Sequence, residues 1–107
     1  DYIHVVDLAL AHISALNQNK LNNFEILNIG GGISTTVLEL VSKFEETSGV
    51  TIKLKYSPRR DGDLAAFWAN SSKSSEKMDW QPERNIKKIC EDTWRWHKLN
   101  PTGYGIE

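Results

Sequence analysis

The stretch FEILNIGGGISTTVLELVSKF, Phe24 to Phe44, decides how the chain is read. Its first part, Phe24 to Gly30, alternates well enough for a buried strand, and three successive glycines then break it sharply. Thr36 followed three residues later by Glu39 is a capping-box signature. Val37, Leu38, Leu40, Val41 and Phe44 give the helix that starts there an apolar face, with Gly49 to stop it. Strand, tight turn and helix in succession are the unit of an α/β arrangement.

Working outward, VTIKLKY (Val50–Tyr56) sets Ile52, Leu54 and Tyr56 against Thr51, Lys53 and Lys55, the pattern of a half-exposed strand. A short helix is expected over Ser71–Met78, capped by Asn70 or Ser71. Pro82 separates it from a last helix that puts Ile86, Ile89, Cys90, Thr93, Trp94 and His97 on one side and ends at Asn100 and Pro101. Toward the N-terminus, YIHVV (Tyr2–Val6) reads as a strand end. Asp7 reads as the cap of a helix running to about Asn17, followed by a polar loop over Gln18–Asn23. The expectation is about three strands and three to four helices in a single unit, residues 1–107.

Composition narrows the function. A hydrophobic share of 39% and a charged share of 25% are those of a folded globular domain. Thirteen basic against fourteen acidic residues leave a net charge of −1, so no global field draws nucleic acid or an anionic membrane. An anion site must therefore be local. The lone Cys90 excludes an intrachain disulfide and fits a reducing, cytoplasmic compartment; no Cys/His spacing suits a metal, and no run is long enough to span a bilayer. The opening on Asp1, without Met, reads as a cut N-terminus.

Two motifs invite chemistry. The glycine triplet lacks the G-x-G-x-x-G order and a suitably placed acid on a following strand, so it reads as a turn and not as a cofactor-phosphate cradle. His4, His12 and His97 are scattered, with no nucleophile or carboxylate at a telling spacing, and Cys90 reads as an inert buried thiol. SPRRDGDLAAFWA (Ser57–Ala69) is different. Two guanidinium forks, Arg59 and Arg60, match phosphate oxygens, Asp63 can accept from sugar hydroxyls, and Gly62 lets the backbone come close. The competing reading is a charged surface loop whose arginines pair with Asp61 and Asp63, and on composition alone that reading is the simpler.

Four stretches together change the weighting: DYIHVVDLA, NIGGG with TTVLELV, PRRDGDLAAFWAN and DTWRWHKLNPTGY. In order and separation they resemble the C-terminal third of the UDP-glucose 4-epimerases, within the extended short-chain dehydrogenase/reductase enzymes. The resemblance implies a small UDP-sugar-binding lobe of a Rossmann-type homodimeric enzyme of galactose metabolism. In that family NAD sits in an N-terminal domain and the sugar passes through a 4-keto intermediate. The Y-x-x-x-K and G-x-x-G-x-x-G motifs that serve catalysis and NAD binding there are absent from this chain, which therefore carries neither catalytic nor cofactor-binding residues and is expected to be inactive alone. By position, Arg60 corresponds to an arginine on the UDP phosphates and Asp63 to a carboxylate near the ribose. Arg59 is supportive, and Tyr2 and His4 line the site. Phe67 matches a position beside the sugar where side-chain size is associated with acceptance of N-acetylated substrates. Trp94 and Trp96 read as scaffold, packed against the DWQP segment. The alternatives are a nucleotide-sugar dehydratase or decarboxylase on the same architecture, or a stand-alone module binding a nucleotide or a protein.

Overall fold

The capping box of the quoted stretch is present as read. Thr36 Oγ1 accepts from Glu39 N at 3.1 Å while Glu39 Oε2 accepts from Thr36 N at 2.6 Å, and Gly49 closes the helix with φ 70°. This is α2 (Val37–Ser48) in a computed structural model that describes residues 1–18 and 24–105. Around it are α1 (Val5–Leu16), α3 (Ser72–Met78) and α4 (Ile86–Leu99). Helix α4 is capped by Asn85, whose side chain accepts from Lys88 N, and it packs on α2 with Phe44 and Trp94 edge to face at 6.0 Å. Trp94 therefore meets α2, and it is Trp80 of the DWQP segment that enters the core.

Helix α1 starts earlier than the sequence suggested. Val5 and Val6 are helical, and His4 is the cap, its Nδ1 accepting from Val6 N at 3.1 Å. Asp7 is freed from capping for another task. Its carboxylate is 1% exposed and accepts from Arg84 N at 2.9 Å and from the Arg84 guanidinium, tying α1 to the entry of α4. Burial pushes the Asp7 carboxyl up, but the Arg84 amide and guanidinium and the Glu83 amide outweigh it and hold the group below its ordinary value.

None of the three expected strands forms a ladder among the described residues. Phe24–Gly30 is nevertheless extended with period two: Leu27 and Ile29 pack on the core of Ala11, Met78 and Trp80, while Phe24 and Ile26 face outward. Its carbonyls on one edge are taken up by α3 and its cap. Lys73 Nζ donates to Ile26 O at 2.9 Å, Ser74 Oγ to Asn28 O, and Ser71 Oγ to Gly30 O at 3.3 Å. Side chains thus do on this edge what a neighbouring strand would do. Among the described residues Val50–Tyr56 is held only at its start, where Val50 N donates to Ser48 Oγ at 3.2 Å and Ile52 N to Glu45 Oε1 at 2.6 Å, and Leu54 and Tyr56 lie exposed. The loop expected over Gln18–Asn23 falls, from residue 19 on, outside the described residues.

The surface is large for the mass. At 12.2 kDa the chain exposes 8797 Å², where a closed monomer exposes about 6,000 Å². Its radius of gyration is 16.8 Å, against about 13 Å for a compact unit of this length.

Replacing the buried carboxylate by Asp7→Asn should destabilise the protein by about 3 kcal/mol at neutral pH, as for a broken buried pair, read from denaturant midpoints. Because the folded value lies below the unfolded one, the contribution is complete above the ordinary value of 3.8 and is lost as pH falls through the lower folded value. The difference between wild type and Asp7→Asn should therefore close only in strong acid. Glu25, held down to about 2 first by the Lys73 hydrogen bond and then by that from Lys77, loses its contribution over the window from 4.5 downward.

Candidate functional site

After Pro58 the chain makes a tight turn in which Asp63 N donates to Arg60 O at 3.3 Å, with Gly62 at φ 85°. That left-handed position needs glycine. Arg60 Nε donates to Asp63 Oδ2 at 3.2 Å and Arg59 Nη2 donates to Asp63 O. Arg59, Arg60 and Asp63 are thus brought together, but in solvent: the Arg60 side chain is 86% exposed. Its terminal nitrogens make no hydrogen bond among the described residues. Such a surface pair contributes little to stability.

Phe67 is 71% exposed, and Tyr2, half-buried, lines a cleft of about 280 Å³ with Gly31, Ile33, Thr35 and Arg84. Neither shares a hydrogen bond with the arginine turn among the described residues. What connects the loop to Tyr2 is its neighbour Asp1, which sequence reasoning passed over. Asp1 Oδ2 accepts from Ala69 N at 2.9 Å and Gly32 N at 3.3 Å, and Oδ1 accepts from Gly31 N at 2.9 Å. The available signal was the glycine triplet itself, whose bare amides require an acceptor.

This geometry also explains the glycines. A Cβ on Gly30 would fall 2.6 Å from Ala69 Cβ, and one on Gly31 would fall 2.6 Å from Tyr2 O. With the Gly31 and Gly32 amides already given to Asp1, the turn has no donors to spare there for a phosphate. The residues present do not fit the pyrophosphate of a dinucleotide.

A cleft of about 590 Å³ lies between the start of α1 and α4, lined by Ile3, His4, Asp92, Trp96 and Tyr104 among others. His4 is buried in its wall, so it does not join the arginines. Since Val6 N–H can only donate, Nδ1 is the acceptor, and in the neutral ring Nε2 carries the proton given to Asp92 Oδ2 at 3.1 Å. This carboxylate partner stands 88 positions away, beyond any local spacing. Lys88 holds Asp92 below its ordinary value, against the opposing effect of burial, with help from His4 and the charge of Arg95. Cys90 is buried, and that burial pushes its thiol up, the state of an unreactive cysteine. No group of three His, Cys, Asp or Glu among the described residues could hold a metal ion.

Comparison with known proteins gives these observations a frame. UDP-glucose 4-epimerase of Erwinia amylovora is 44% identical over 104 residues, covering 96% of this chain. The human enzyme of that name is 44% identical over 108 residues, covering all of it. The crystal structure of the Bifidobacterium longum UDP-glucose 4-epimerase, solved with NAD+ and UDP, superposes with a TM-score of 0.90 at 35% identity over 97% of the chain. The chain is related to the UDP-glucose 4-epimerases. It spans about 31% of the length of these epimerases, aligned on their C-terminal portion, and the fold is that of the C-terminal part of a Rossmann-type epimerase. The Stenotrophomonas maltophila epimerase, solved with NAD and a formylated UDP-arabinopyranose, matches with a TM-score of 0.86 at 39% identity over 94% of this chain and 30% of its own. No protein-family model matches the chain.

Gly31→Ala should destabilise the fold by about 2 kcal/mol through overpacking against Tyr2. Gly105→Ala, whose Cβ meets nothing within 4 Å, should be close to neutral. Parallel unfolding curves of the two variants compare the effects directly.

Proposed function

We propose that residues 1–107 are the UDP-sugar-anchoring part of a UDP-glucose 4-epimerase that interconverts UDP-galactose and UDP-glucose, with an NAD-binding Rossmann domain preceding them. In this reading Phe24–Gly30 and Val50–Tyr56 complete their strand pairing against that domain, which also covers the exposed Phe24 and Ile26. The same reading makes the enzyme a cytoplasmic homodimer of galactose metabolism. Among the described residues no helix is long and apolar enough to cross a membrane. The redox step, through the 4-keto intermediate, belongs to groups outside this chain.

The observation that carries the proposal is the Arg59–Arg60 turn. Arg60 spends one nitrogen on Asp63 and leaves its terminal fork open to solvent, with an acid next to it for sugar hydroxyls. Its physical task is to hold what does not react. Binding energy from the diphosphate fixes the sugar for chemistry at a remote carbon. Arg59 steadies the turn through Asp63 O, while Tyr2 and Phe67 border the nucleotide and the sugar respectively.

Arg60→Ala in the complete enzyme should weaken UDP binding by about 2 to 3 kcal/mol, the value of a lost charge-assisted contact; calorimetry showing an unchanged dissociation constant would refute the anchor. The bulky Phe67 ring should make kcat/KM for UDP-N-acetylglucosamine at least about tenfold lower than for UDP-glucose, within the range a steric pocket supplies. Comparable turnover of the two sugars would exclude that role.

A further inference from the structure

The stretch from Lys53 to Trp68, which carries the arginine turn and Phe67, is exposed throughout and lies outside every helix. Among the described residues its hydrogen bonds are those within the turn, and the chain is tied on either side of it by a carboxylate. At one foot Ile52 N donates to Glu45 Oε1 at 2.6 Å. At the other, Ala69 N donates to Asp1 Oδ2 at 2.9 Å. The second tie is the more elaborate, since the same carboxylate also collects Gly31 N and Gly32 N from a different segment.

We propose that Asp1 is a positioning residue for the nucleotide-sugar anchor, clamping the foot of the arginine loop to the glycine turn. The inference rests on the anchor reading and adds to it the group that sets where the loop stands. An ionised carboxylate is acceptor-only at both oxygens, which is what three converging amides require. The approach is too close for any side chain on Gly30, where a Cβ would lie 2.5 Å from Asp1 Oδ2 and 2.6 Å from Ala69 Cβ. Ser71 Oγ, bonded to Gly30 O, closes the opposite side. Loop foot, glycine turn and Asp1 therefore form one unit, and Tyr2 is carried on the residue next to it. An amide in place of the carboxylate keeps the volume but offers an acceptor on one arm only, setting an N–H against at least one backbone N–H.

The test is a double-mutant cycle in the complete epimerase, with UDP as the probe and calorimetry as the readout. Asp1→Asn should raise the UDP dissociation constant about tenfold, the effect of one charge-assisted bond lost at the loop foot. In an Arg60→Ala background it should add nothing, because the loop no longer carries the grip. Amide exchange at Ala69 and Gly31 should accelerate in Asp1→Asn even where binding is abolished. Wild-type affinity in Asp1→Asn with Arg60→Ala impaired, equal weakening in both backgrounds, or unchanged exchange at Ala69 would each overturn the clamp. An Arg60→Ala variant that binds UDP normally would instead overturn the anchor itself.

Discussion

A carboxylate removed from water in a small protein must be matched group for group, and Asp7 sets that condition where α1 meets the entry of α4. It is 1% exposed, and its burial is tolerable only because Arg84 supplies both a backbone amide and a guanidinium. Meeting that demand fixes where α4 begins relative to α1. From there α4 carries Trp94 against α2, and Asp92 reaches back to the His4 cap. The apolar contribution beside it is slight. Ala11, Met78, Trp80 and Cys90 are the buried hydrophobic residues among those described, so polar ties hold much of what a larger core would hold by packing.

Local chemistry was legible in the sequence wherever a single segment contained the whole interaction. Thr36 with Glu39, Gly49 at the helix end and Asn100 after α4 could be read because their partners lie within a few residues. The first helix was misjudged at its cap. Asp7 is by type a good N-cap, but burial beside Arg84, 77 positions away, claimed it and left the cap to His4. The extended segments were recognisable by alternation, yet a ladder is a property of two strands, and here α3 occupies one edge of Phe24–Gly30.

The residue types of the proposed anchor could be read from the sequence, and their placement could not. Arginine pairs announce phosphate chemistry by their geometry, and the turn that presents them follows from Gly62 and Asp63. Asp1 escaped because its three partners come from residues 31, 32 and 69, and no spacing rule links them. The outward-facing Phe24 and Ile26, the uncovered Leu54 and the large accessible area are consistent with a molecule that spans about 31% of its relatives' length.

The arginine turn sets two arginines against two aspartates within five residues, and Arg60 rests on one of those aspartates. Seen from beyond a Debye length such a turn has almost no monopole, so it exerts no pull on the polyanions that crowd a cell. Its positive character is confined to contact range, at the terminal nitrogens of Arg60 that Asp63 does not engage. An anion nearing it would gain no long-range steering and would arrive at the unassisted diffusional pace.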